Sequence, residues 1–152
     1  MVDTESGLFT VAVFQDAAWA SRALDALKEA RFVPQSLTIL AGAGADTSAL
    51  IQKIFGVAGQ ALELPVVGAA IVYGPLLDAL QGSARDLAKL GLAGTMRKVG
   101  FQAHDARIFE TLAGRGGVLV AIRSESRAAD ALAIFHSYGG GNAAIGAWTG
   151  RV

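Results

Sequence analysis

Few residues in this chain could take part in chemistry, and the densest group lies in the glycine-rich stretch 42–48. This stretch follows a predicted strand and precedes a predicted helix, the setting in which backbone amides bind phosphate. A P-loop requires a lysine directly before its serine or threonine, whereas the residue before Thr47 is Asp46. The Asp46 carboxylate would also repel a phosphate, and the third glycine of a dinucleotide-binding fingerprint is missing. We therefore interpret the stretch as a helix-capping loop and predict no cofactor-binding residue.

Two histidines, His104 and His136, are the candidates for general-base catalysis. A carboxylate can orient an imidazole, and Asp105 follows His104, but adjacent residues on a helix point in different directions. His136 falls near the end of a predicted helix, where the helix dipole stabilises a positive charge. No third ligand for a metal ion can be placed beside either histidine. We interpret both as surface or capping residues and predict no catalytic and no metal-binding residue.

The charge and cysteine content exclude further classes of function. Thirteen basic and thirteen acidic side chains cancel, whereas a nucleic-acid-binding protein normally has a basic excess. The chain has no cysteine, which removes disulfides, thiolate nucleophiles and iron–sulfur clusters. The Gly-x-Ser-x-Gly motif of serine hydrolases is also missing. The sequence therefore predicts a non-enzymatic protein without a cofactor and without a nucleic-acid partner.

A strand–helix–strand pattern occurs near each end of the chain, over residues 8–42 and again over residues 117–148. In the first unit an apolar run ends before Asp16, whose carboxylate can cap the helix that follows. Five apolar residues of that helix recur at helical spacing: Ala20, Ala23, Leu24, Leu27 and Ala30. Two such units in sequence predict an α+β fold, the ferredoxin-like sandwich, with antiparallel strands and helices on one face. A parallel doubly wound sheet is the alternative, because the linking segment is long enough for crossovers.

Residues 43–116 separate the two units, and the sequence predicts them as a helical, glycine-rich, apolar insertion within a single domain, 1–152. Asp46 can cap the first helix of this insertion. A helical pattern resumes over residues 78–99, where three glycines weaken it. A further helix is predicted over residues 102–113. The insertion is what distinguishes this chain from a plain two-unit sheet.

Residues 64–77, within the insertion, carry no charge. As a helix they would be about 21 Å long at about 1.5 Å per residue, whereas the hydrocarbon core of a bilayer is about 30 Å thick. Glu63 and Asp78 flank the segment, and each would be costly inside a membrane. We therefore predict a buried core or subunit-interface segment, with a peripheral membrane contact as the alternative.

The composition also predicts self-association. Hydrophobic residues make up 53% of the chain and charged residues 17%, below the typical charged fraction of about one quarter. Soluble monomers rarely expose large apolar patches, so we expect a homo-oligomer held together through residues 50–80 and the sheet edges. The alternatives are a small-molecule sensor that uses a cleft between the sheet and the inserted helices, and a cofactor-free enzyme with a histidine base.

The acidic, polar residues 1–6 are the reverse of a secretory signal, so we expect a cytoplasmic protein.

Several stretches together resemble one bacterial family. They are the strand 10–14 with the helical residues 22–27, Gly100–Phe101 with Ala106–Arg107, and the strand 118–120 after two glycines. With the apolar middle, they are similar to the general stress protein 17M-like, or heat-induced stress protein, family. The resemblance implies a stress-associated bacterial protein without established enzymatic activity, and it brings no catalytic residue to this sequence.

Overall fold

The computed structural model describes residues 7–81, 86–98, 101–123, 127–138 and 144–148, which contain six strands, six α-helices and one short 3-10 helix, Pro34–Ser36. The strands are β1 (Gly7–Phe14), β2 (Leu37–Gly42), β3 (Gln60–Leu64), β4 (Gly68–Tyr73), β5 (Val118–Arg123) and β6 (Ala144–Trp148). The helices are α1 (Ala17–Glu29), α2 (Ala45–Phe55), α3 (Pro75–Gln81), α4 (Asp86–Lys98), α5 (Ala103–Gly114) and α6 (Ala128–Ser137). All six strands belong to one sheet, so the prediction of an α+β fold is confirmed.

The sheet has the strand order β3-β4-β2-β5-β1-β6, and each neighbouring pair is antiparallel. β5 lies between β1 and β2, with Val120 opposite Ala12 on one side and Ile39 on the other. The alternative of a parallel doubly wound sheet is therefore wrong for the described strands. The helix α1 connects two strands that do not touch, because β5 from the far end of the chain is inserted between them.

Helices cover both faces of the sheet, whereas the sequence predicts helices on one face only. The helices α1, α2 and α6 pack on one face, and α3, α4 and α5 pack on the other. Along β1, Val11 and Val13 belong to the core beneath α3–α5, while Ala12 and Phe14 belong to the core beneath α1, α2 and α6. Central strands buried on both faces read as continuous apolar runs, which is the pattern of β1 and β5.

The two cores account for the apolar composition within one chain. The accessible surface is 7519 Å², close to the value of about 7,200 Å² expected for a folded monomer of 15.6 kDa. Large apolar side chains that remain exposed are few among the described residues: Val33, Val57, Val66, Tyr73 and Leu90. The high apolar fraction is therefore not by itself an argument for a partner subunit.

The insertion 43–116 contains a β-hairpin as well as helices. The hairpin joins β3 to β4 and extends the sheet beyond β2, which the prediction of a purely helical insertion misses. The uncharged segment 64–77 is divided between the end of β3, the hairpin turn, β4 and the start of α3. Five of its residues are core residues: Leu64, Ala70, Val72, Leu76 and Leu77. Only parts of the segment, among them Pro65 and Val66 of the turn, are exposed.

Among the helices that the structure describes, none combines the length and the apolar character needed to cross a membrane.

The two predicted helix caps have different outcomes. The Asp16 carboxylate accepts the Trp19 amide at 2.9 Å, which confirms Asp16 as the cap of α1. The prediction that Asp46 caps α2 is wrong, because Gly44 occupies the cap position and Asp46 lies in the first turn. There the carboxylate still interacts favourably with the positive end of the helix.

Val66, in the hairpin turn, combines two unfavourable features. Its φ is +70°, a region that costs a β-branched residue conformational energy. Its side chain is also 68% exposed, the largest exposure among the large apolar residues described. The Val67 amide donates to the Pro65 carbonyl at 2.8 Å across Val66, which makes a tight three-residue turn.

We expect the substitution Val66→Gly to stabilise the protein by about 1 kcal/mol, because glycine adopts a positive φ without strain. Val33→Gly is the matched control, since Val33 is also exposed but has a φ of −89°. Glycine at position 33 should destabilise by about 0.5–1 kcal/mol through the entropy of the unfolded chain. Urea denaturation of both variants measures the difference, and a loss of stability in Val66→Gly would contradict the strain argument.

Candidate functional site

The glycine-rich loop predicted from the sequence lies where β2 leads into α2. It borders a shallow hollow of about 330 Å³ that Asp16 and Gly116 also line. Two of the polar side chains here already have backbone partners, since Asp16 accepts the Trp19 amide and the Thr47 hydroxyl donates to the Gly42 carbonyl at 2.8 Å. Two carboxylates, those of Asp16 and Asp46, line the same hollow and disfavour an anion. This loop therefore positions α2 on the sheet.

The two histidines lie in different layers of the molecule. His104 is exposed in the first turn of α5, and His136 is exposed in the last turn of α6. Because α5 and α6 pack on opposite faces of the sheet, the two imidazoles are not brought together. Within the described residues, no group of three His, Cys, Asp or Glu side chains could hold a metal ion.

Glu110 has a contact that its sequence pattern does not indicate. Glu110 follows Arg107 by three residues, a spacing typical of a solvated ion pair on a helix, yet the Glu110 carboxylate accepts the Ala93 amide of α4 at 3.1 Å. That amide follows Gly91, which has a φ of +80° and interrupts α4. Glu110 thus caps the second half of α4 from a neighbouring helix, which is a structural role.

The outer edge of β3 is the first surface feature that could bind a partner. β3 is the terminal strand of the sheet, and among the described residues it pairs with β4 on one side. Its register is continuous from Gln60 opposite Val72 to Leu64 opposite Gly68, without a bulge. Ala61 and Glu63 are exposed and Leu62 is half-buried. Such an edge exposes a row of amides and carbonyls that can pair with another strand.

A groove of about 800 Å³ is the second feature, and it lies at the start of β3 beside the end of β4. Residues from three separate stretches of the chain line it: Pro34, Gln35, Leu37, Ile54, Phe55, Ala58, Gln60, Tyr73, Gly74, Pro75 and Leu77. The rings of Phe55 and Tyr73 lie 4.7 Å apart at an angle of 50°. Val33 and Val57, both exposed, are chain neighbours of lining residues. Much of the large apolar surface that the fold leaves exposed is therefore at or beside this groove.

The groove carries no formal charge. None of its lining residues is Asp, Glu, Lys, Arg or His. Lys53 precedes the groove on α2, but its ammonium group donates to the Ser21 hydroxyl at 2.6 Å and lies 3.3 Å from the Asp25 carboxylate, on α1. The polar groups available at the groove are the amides of Gln35 and Gln60 and the Tyr73 hydroxyl.

Sequence reasoning does not identify this groove. Phe55 belongs to the apolar stripe of α2, and Tyr73 ends an apolar run before Gly74 and Pro75, so each reads as a core residue. The one usable signal is the Tyr-Gly-Pro sequence, which places an aromatic residue at a chain reversal. Only the folded chain brings Pro34, Phe55 and Tyr73 together.

No family model, no curated protein and no solved structure matches this chain.

Proposed function

We propose that this protein is a non-enzymatic interaction module that self-associates through the outer edge of β3. The observation that carries the proposal is the outer edge of β3, which pairs with no further strand among the described residues and has no bulge. Natural edge strands are commonly blocked by lysine, proline or a bulge. β3 has none of these between Gln60 and Leu64, and Glu63 is its one charged residue.

The sequence of β3 is compatible with pairing to a second copy of itself. In an antiparallel, two-fold symmetric pair centred on Leu62, this residue lies opposite Leu62 of the second copy. Ala61 then lies opposite Glu63 of the second copy, so no like charges are directly opposed. The two Glu63 carboxylates occupy diagonal positions about 7–8 Å apart, and their repulsion should weaken as ionic strength rises.

The same register would cover apolar surface that the single chain exposes. The helix α4 packs beside β3, and its Leu90 is 51% exposed. Leu62 is half-buried, so a second strand would complete its burial.

We expect a disulfide to form between two copies of the variant Leu62→Cys under mild oxidation. The chain has no cysteine, so one substitution gives an unambiguous reporter. At the symmetry axis the two Cα atoms would be about 4.5–5.5 Å apart, within the range of a disulfide. Non-reducing electrophoresis measures the cross-link, and sedimentation of the unsubstituted protein measures the dimer.

Gln60→Cys is the matched control in the same strand. Its two copies would be four positions apart, about 13 Å, which is too far for a disulfide. Equal cross-linking of both variants would contradict the register. A clean monomer of the unsubstituted protein at micromolar concentration, together with no cross-link in Leu62→Cys, would exclude self-association through β3.

The proposal extends to the finer fold and the family. We propose that β1–α1–β2 and β5–α6–β6 form a ferredoxin-like core, which the order β2-β5-β1-β6 within the sheet supports.

The resemblance to the bacterial heat-induced stress proteins supports a role in the stress response of a bacterial cytoplasm. Quantification of the protein before and after heat shock tests that role, and an unchanged amount would count against it.

A further inference from the structure

The groove at the start of β3, beside the end of β4, supports a second inference that rests on its own lining residues. We infer that this groove binds an uncharged small molecule that carries an aromatic ring. Its volume of about 800 Å³ falls within the range of about 300–1,000 Å³ typical of small-molecule sites.

The aromatic preference follows from Phe55 and Tyr73. Their rings contact each other at a tilt of 50°. Neither residue is fully buried, since Phe55 is half-buried and Tyr73 is 40% exposed. An added ring can pack against this pair in an offset or edge-to-face arrangement, which is the geometry that aromatic groups prefer. Pro34, Ile54 and Leu77 add apolar surface on which such a ring can pack.

The selection against charge follows from the absence of an ionic partner along the lining. A carboxylate or an ammonium group that enters the groove loses hydration, and no lining side chain carries an opposite charge. A carbonyl or hydroxyl group has partners, because the Gln35 and Gln60 amides and the Tyr73 hydroxyl both donate and accept hydrogen bonds. The nearest cation on α2, Lys53, is already bound to Ser21 and Asp25.

One wall of the groove is formed in advance of binding. Gly74 lies so close to Leu37 and Thr38 that no side chain would fit between them. The Thr38 hydroxyl, inside the sheet, accepts the Leu76 amide at 2.9 Å and fixes the start of α3. Because Gly74, Pro75 and Leu77 are held in this way before a ligand binds, they lose little conformational entropy on binding. A smaller entropy loss favours affinity.

Three probes that share one ring test the inference: 2-naphthalenemethanol, 2-naphthoate and 2-naphthylmethylammonium. Titration calorimetry of each with the full chain should give a dissociation constant for the alcohol at least tenfold lower than for either ion. Naphthoate or the ammonium compound binding as tightly as the alcohol would overturn the selection for an uncharged ligand. If none of the three binds, the groove is not an aromatic site.

Substitutions in the lining locate the probe. Ala58→Phe fills the groove from an exposed position, and Tyr73→Thr removes a ring and introduces a β-branched residue, a type that strands favour. Each should weaken binding of the alcohol at least tenfold. Leu90→Ser, which changes an exposed leucine outside the groove, should leave the affinity unchanged. Unchanged binding in Ala58→Phe and Tyr73→Thr would place the probe elsewhere and overturn the inference, whatever the result of cross-linking at Leu62.

Discussion

Gly74→Ala should destabilise the protein by about 3 kcal/mol or more, because two separate costs add at this position. The φ of Gly74 is +132°, a conformation that residues with a side chain rarely adopt. A Cβ atom there would also overlap the Leu37 carbonyl oxygen and lie 2.5 Å from the Thr38 Cα. Both neighbours are backbone of β2 in the middle of the sheet, so they cannot move aside as a flexible side chain would.

Gly42→Ala is the control for this prediction. Gly42 lies at the end of β2, where an added Cβ would lie 3.9 Å from the Ala69 carbonyl oxygen, an ordinary van der Waals contact. This substitution should change stability by less than about 0.5 kcal/mol. Urea denaturation followed by circular dichroism measures both variants. If Gly74→Ala were as stable as Gly42→Ala, the close approach of β4 to β2 at this point would be wrong.

Phe109→Ala should cost about 3–5 kcal/mol, because it leaves a cavity in the core beneath α3–α5. Phe109 is fully buried on α5 and belongs to the core that includes Val11, Val13 and Leu119 of the sheet. A loss of this size is a large part of the total stability of about 5–15 kcal/mol that such a domain has. The insertion is thus expected to be essential to folding, since without it one face of the sheet would be exposed.

Phe135→Ala provides the matched substitution in the other core. Phe135 is also fully buried, and its ring packs edge-to-face against Phe14 with centroids 5.6 Å apart. If the two cores stabilise one cooperative unit, both variants should shift a single unfolding transition by similar amounts. A separate early transition in Phe109→Ala, with the rest of the chain unchanged, would show that the insertion folds as an appendage.

Most elements could be predicted from local patterns in this chain. The stripe of α1 is buried at Ala20, Ala23, Leu24 and Leu27 as its spacing indicates, and Asp16 caps that helix. The hairpin β3–β4 does not follow from local patterns, because short apolar runs do not distinguish a strand from a buried helix. Local sequence does not decide the cap of α2, because Gly44 and Asp46 are both acceptable in the first positions of a helix.

The candidate surfaces depend on contacts between distant parts of the chain. An edge strand cannot be recognised until the strand order is known, and β3 becomes an edge only because β4 pairs with β2. The groove likewise needs Pro34, Phe55 and Tyr73 in one place. The apolar composition suggested a covered surface, but the second core beneath α3–α5 accounts for it inside the chain.

The sequence by itself determined the helices and strands of the two end units, the α+β class and the lack of a recognisable catalytic motif. These features depend on residue type and on spacings of two to four positions, so they can be read locally. Tertiary structure alone decided that helices cover both sheet faces, that β3 is an edge and that Phe55 meets Tyr73. Strand order and layer packing join residues far apart in the chain, and the free energy of those contacts depends on the whole assembled core rather than on any local pattern.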